Sequence, residues 1–173
     1  FYQDALDFGA GLLSLGLRNA ELVGLLSDNR REWTVADIGI QACGSADVPR
    51  GRDVTDAEIR IIYGVTDCRF VVAERDVEAN RLVAARAELP KLETIILMEG
   101  EVSLPEIPGI SILPFARVIE LGKQWRNGNP SAIENLVDKG KKDDIATFIF
   151  TSGTTGRPKG VPLTQENYLL HVS

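Results

Sequence analysis

Apolar stretches of this chain switch repeatedly between helical and strand periods, and that alternation restricts its possible folds more than any other feature. Asp4 to Leu17 carries Ala5, Leu6, Phe8, Leu12, Leu13 and Leu15 in a one-sided helical pattern, interrupted by three glycines. Glu21 to Ser27 is a short apolar run suited to a buried strand. Arg31 to Ala42 returns to the helical pattern, and Ala46 to Pro49 reads as a short strand ending at a proline. Thr55, Asp56, Ala57 and Glu58 fit a capping box that starts a helix running to about Val65. Arg69 to Ala73, with β-branched Val71 and Val72, is the next strand, followed by a helix over Val77 to Leu89 and a strand over Thr94 to Met98. A passage punctuated by Pro and Gly runs from Gly100 to Pro114. Helices are then predicted over Phe115 to Trp125 and Pro130 to Lys139, and a buried strand over Ile145 to Phe150. Helices alternating with short apolar strands predict an α/β fold: a three-layer, mostly parallel sheet with helices on both faces.

The 173 residues are 44% hydrophobic and 25% charged, which suits one globular domain or part of a larger one. Phe1 is not an initiator Met, and Ser173 follows ENYLLHV, which reads as the first turns of a helix, so the expectation is a fragment. No apolar run approaches the roughly 18 residues that span a bilayer, and the first residues lack a signal-peptide pattern. The expected location is cytoplasmic, with peripheral membrane contact at most. A formal net charge of -6 offers no general attraction to nucleic acid, so any anion site must be local. Cys43 and Cys68 have no CxxC partner and the chain has one His, which argues against zinc and disulfides; both thiols are expected to be reduced and buried. The run DKGKKDD, Asp138 to Asp144, is read as a solvated linker.

Immediately after the strand IATFIF comes TSGTTGRPKG, Thr151 to Gly160, with three reasons to bind phosphate. Gly153 and Gly156 permit positive φ and close approach of backbone N–H groups, so several amides can converge on one anion. Thr151, Ser152, Thr154 and Thr155 supply hydroxyls able to donate to phosphate oxygens or join a magnesium shell. Arg157 and Lys159 supply cations, and Ile145 to Gln165 contains no acid, which makes a locally positive field in an acidic chain. Two other phosphate motifs are excluded. Lys159 follows Pro158 and precedes Gly160, so it cannot open a helix as a Walker A lysine does, and no GxGxxG occurs.

TSGTTGRPKG resembles the phosphate-loop signature of the adenylate-forming (AMP-binding) superfamily, which includes acyl-CoA synthetases, luciferases and peptide-synthetase adenylation domains. The likeness extends upstream. Leu26 to Gly51, LSDNRREWTVADIGIQACGSADVPRG, is similar to the family's first strand-helix-strand unit, and Thr55 to Glu74 to the next helix-strand pair. The wording around Asp47 to Asp53 is most like long-chain fatty acyl-CoA synthetases. Asn29 and Trp33 are read as capping and core residues without a catalytic role.

The resemblance implies part of the large N-terminal domain of an adenylate-forming enzyme, with ATP, Mg2+ and coenzyme A as cofactor and co-substrates and a carboxylic acid, a fatty acid by likeness, as substrate. It implies that the carboxylate attacks the α-phosphate of Mg-ATP and that a thiol then displaces AMP from the acyl-adenylate. By position, Thr151, Ser152, Gly153, Thr154, Thr155 and Gly156 would wrap the β- and γ-phosphates, with Lys159 as the catalytic cation anchoring the loop or the triphosphate. Arg157 occupies a variable position and is read as a solvated charge. Many relatives carry His after the Thr that follows the loop, whereas this chain has Gln165 after Thr164; His171 is read as a surface or packing residue. The adenine-binding segment, the magnesium acid, the ribose Asp and the C-terminal catalytic Lys would all fall beyond Ser173. Another adenylation or aryl-CoA ligase domain and a noncatalytic nucleotide-binding module remain open as alternatives.

Overall fold

The computed structural model describes residues 1–100, 107–151 and 158–172, with 169–172 as backbone only. Its order is α1 (Tyr2–Ser14), β1 (Leu22–Leu26), α2 (Arg31–Ala42), β2 (Ala46–Arg50), α3 (Asp56–Val65), β3 (Phe70–Ala73), α4 (Asp76–Ala84), β4 (Thr94–Leu97), β5 (Ser111–Pro114), α5 (Phe115–Gly128), α6 (Ala132–Lys139), β6 (Ile145–Thr151), β7 (Lys159–Thr164) and α7 (Gln165–Val172). One sheet runs β5-β4-β3-β1-β2-β6-β7, parallel throughout except for the antiparallel β6–β7 pair. The five strands β2-β1-β3-β4-β5 thus follow the flavodoxin-like 2-1-3-4-5 order.

Both sheet faces are covered, which is why β1, β3 and β4 are almost wholly apolar. Leu25, Phe70, Val72 and Ile96 pack under α1, α2 and α5 with Phe8, Leu12, Ile40 and Phe115. Leu26, Val71, Ala73 and Ile95 pack on the other face with Ile59, Ile62 and Tyr63 of α3 and Leu82 of α4. The predicted three-layer architecture is therefore present.

The glycines of α1 permit close helix packing. A Cβ on Gly9 would stand 2.5 Å from the Gly39 carbonyl oxygen of α2, and one on Gly11 would collide with the Val118 carbonyl of α5. Gly122 answers from α5, where a Cβ would strike the Asp7 carbonyl. Phe8 and Phe115 stack at 4.5 Å across the same junction, and Arg126 pairs with the buried Asp7 at 2.5 Å.

Several expectations need correction. The helix expected over Val77 to Leu89 ends at Ala84 and continues as a 3-10 turn over Arg86–Glu88. The Pro/Gly passage contains β5, four residues that among the described residues pair only with β4; residues 101–106 of that passage lie outside the described residues. Strand β6 is only half-buried: Ile145 and Ile149 are exposed, while Phe150 is covered. Asn29 does not cap α2, whose N-cap is Arg30 with no side-chain hydrogen bond, whereas Trp33 packs against the core as expected. The capping box at Thr55 is present, with Glu58 N donating to Thr55 Oγ1 at 3.2 Å and Thr55 N to Glu58 Oε2 at 2.9 Å. The Asp138 to Asp144 run is exposed but ordered: Lys141 N donates to Asp144 Oδ2, and the Asp144 and Lys142 carbonyls receive the N–H groups of Gln165 and Glu166 that open α7.

Candidate functional site

The sequence-predicted loop departs from the carboxyl end of β6 and returns as β7. Thr151 pairs with Lys159 in the antiparallel ladder, followed by Phe150 with Gly160 and Ile149 with Val161. Thr151 and Lys159 are both exposed at the root of the loop. Lys159 begins a strand, consistent with the exclusion of a Walker A geometry. Pro162 is tolerated because β7 is an edge strand. Gly160 has a packing reason as well, since a Cβ there would run into the Phe148 ring. Ser152, Gly153, Thr154, Thr155, Gly156 and Arg157 lie outside the described residues. Gln165 opens α7 and donates to Gln41 of α2 at 3.1 Å.

The carboxyl ends of the neighbouring parallel strands gather charge that the sequence reading did not single out. Glu74, which follows β3 and is buried, accepts from Ser27 Oγ and Asp28 N, both at 3.0 Å, after β1. Arg30, Arg52 and Arg75 approach the same carboxylate at 3.9, 3.5 and 3.7 Å. Arg52 also bonds the buried Glu78 at 2.9 Å, and Arg30 reaches Glu99 at 2.8 Å. The hydrogen bond from Arg30 holds the Glu99 carboxyl below the usual carboxylate range. Next to this network a cavity of 390 Å³ opens at the ends of β1 and β2, with Trp33, Pro49 and Arg50 in its wall. Crevices outside the carboxyl ends of parallel strands are where open α/β sheets bind ligands. The readable signal was position alone: Ser27, Arg50 and Glu74 each close or follow a strand visible in the sequence.

A second polar group lies on the α2 face of the sheet. Asp47 of β2 is buried, its Oδ1 has no hydrogen-bond partner among the described residues, and burial, assisted by the charge of Asp37, pushes its pKa up to about 7. Burial also raises Asp37, which accepts from Gln41 at 2.6 Å. Cys43 and Cys68 are free and buried, and burial pushes both thiols up to about 12. Among the described residues no group of three or more His, Cys, Asp or Glu could hold a metal ion, and no helix is long and apolar enough to cross a membrane.

The mostly parallel α/β sheet thus leads from β6 into a Ser/Thr/Gly-rich, acid-free stretch of sequence. The chain belongs to the AMP-binding enzyme family, whose model matches residues 1–173. It is 35% identical to the long-chain-fatty-acid–[acyl-carrier-protein] ligase AEE15, chloroplastic, of Arabidopsis thaliana, over 98% of this chain and 24% of that protein. It is 31% identical to the long-chain-fatty-acid–CoA ligase FadD15 of Mycobacterium tuberculosis, over 93% of this chain and 25% of that protein. Among solved structures, the anthranilate CoA ligase AuaEII in complex with anthranoyl-AMP matches with a TM-score of 0.75 at 25% identity, over 98% of this chain and 30% of that one. The chain thus spans about a quarter of the length of these curated relatives.

Proposed function

We propose that this chain is part of the large N-terminal domain of an ATP-dependent acid:thiol ligase that activates a long-chain fatty acid as its acyl-adenylate. The observation that carries this reading is the string TSGTTGRPKG at the carboxyl end of β6, in a chain of the AMP-binding family whose relatives bear fatty-acid ligase names. In the first step a carboxylate oxygen attacks the α-phosphorus, and the bond to the α,β-bridging oxygen breaks with its electron pair leaving on pyrophosphate. Thr151, Ser152, Gly153, Thr154, Thr155 and Gly156 surround the β- and γ-phosphates, and Lys159 offsets the charge that accumulates on the leaving group. In the second step a thiolate attacks the acyl carbonyl and AMP departs.

Magnesium fits this site only in part. Thr151 offers a hydroxyl at the loop root, but the described residues bring no acidic cluster there. The ion would supply charge neutralisation of the phosphates, and Thr151 is the described residue whose hydroxyl could join its shell. Coenzyme A is the proposed acceptor; the name of the AEE15 relative makes acyl carrier protein the second reading.

Acid-dependent exchange of pyrophosphate into ATP, run on the full-length protein over acids from acetate to palmitate, tests the reading. Exchange that rises toward the long acids is expected, and no exchange with any acid overturns it. Trapping the product with coenzyme A or with acyl carrier protein separates the two acceptors.

A further inference from the structure

Strands β2 and β6 are neighbours, yet they pair at one register position only, Asp47 with Thr147. The cause lies in Pro49. The Arg50 carbonyl accepts from Ser27 N at 3.0 Å on the β1 side, so the main chain of Pro49, one residue back, faces β6. Proline has no N–H to extend the ladder there.

Three residues beyond the single pair, Arg50 stands level with Phe150, the last buried residue of β6. Its guanidinium adds a bond from outside the ladder: Nη1 donates to the Phe150 carbonyl at 2.9 Å. Nη2 lies 3.5 Å from Glu58, whose carboxylate closes the capping box of α3. Arg50 Nε is buried with no partner among the described residues. Thr55, Glu58, Arg50 and the Phe150 carbonyl thus form a continuous polar chain that ends one residue before Thr151.

We propose that Arg50 is a positioning residue for ATP-phosphate binding: by fixing the Phe150 carbonyl from outside the ladder, it sets where Thr151 and its partner Lys159 stand. The inference rests on the reading of residues 151–160 as the phosphate-binding segment. A planar fork suits this place because it serves a carbonyl and a carboxylate at once, which an ammonium does less well.

The test uses Arg50→Ala and Arg50→Lys in the full-length protein and measures the two half-reactions separately. Arg50→Ala is expected to raise KM for Mg-ATP in pyrophosphate exchange about tenfold, consistent with loss of one charge-assisted hydrogen bond. Thiol transfer from preformed acyl-adenylate, which needs no β- or γ-phosphate, is expected to change less than about twofold. Arg50→Lys should fall between Arg50→Ala and wild type. Hydrogen exchange of a peptide spanning Ile145 to Leu163 should quicken in Arg50→Ala while β1, β3 and β4 keep their protection. An unchanged KM, or both half-reactions failing together with protection lost across the whole sheet, overturns the proposal. Wild-type protein with no exchange activity would count against the ligase reading; hydrogen exchange then decides on Arg50 alone, with a local rise supporting it and unchanged protection of Ile145 to Leu163 refuting it.

Discussion

Thr151 and Lys159 face each other as the last pair of the β6–β7 ladder, so the stretch between them leaves the sheet and returns to it at one point. A hydroxyl and an ammonium are thereby brought together by strand pairing, a firmer constraint than their separation in sequence. The same ladder makes Lys159 an edge-strand residue with its side chain in solvent, where it is available to a polyanion.

Close packing of α1 against α5 depends on glycine at both ends of the contact. Gly122→Ala would drive a Cβ into the Asp7 carbonyl, a backbone atom that cannot rotate away, beside the Asp7–Arg126 pair. We expect a loss of roughly 2 kcal/mol or more, read as a lower midpoint in urea. Gly128→Ala, where a Cβ meets nothing within 4 Å, is the control and should leave the midpoint unchanged or raise it.

Asp47 should make stability fall as pH rises. In the folded chain burial keeps its carboxyl protonated up to about 7, whereas the unfolded chain releases the proton in the ordinary carboxylate range, so the folded state binds the extra proton between those limits. Asp37 on α2 adds to the effect, and the charges of both acids reach Tyr168 on α7. Asp47→Asn removes the titration. The variant is expected to melt above wild type at pH 8 and to lose that advantage below about pH 3, where wild-type Asp47 is protonated in both states. Parallel melting curves across this range would contradict the assignment.

Neither thiol should react while the chain is folded, because burial pushes both Cys43 and Cys68 up to about 12 and covers their sulfurs. Titration with a chromogenic disulfide at pH 8 should find no fast-reacting thiol in the native chain and two in guanidinium. A thiol that reacts rapidly in native buffer would show that the packing around it is wrong.

Most of the layered fold was legible because both faces of β1, β3 and β4 are buried, which leaves unbroken apolar runs, and because the Thr55 capping box marks a helix start on its own. Two strands were not legible. Strand β5 is four residues at a sheet edge ending in Pro114, and β7 carries Gly160 and Pro162, so each reads locally as loop and exists through pairing with one neighbour. Thr151 and Lys159 could be named from the motif, but their pairing required β7. Beyond its place at the end of a strand, Arg50 gave no signal, since its partner is a backbone carbonyl a hundred positions away.

Binding of ATP phosphates by Thr151 to Gly160 during acid activation is checked by Lys159→Ala and Thr154→Ala in the full-length protein. Each variant is expected to slow acid-dependent ATP–pyrophosphate exchange roughly 10- to 100-fold, the cost of one charge-assisted phosphate contact. Lys159 is exposed, so its variant should melt as wild type does. Exchange at the wild-type rate in both variants would contradict the assignment.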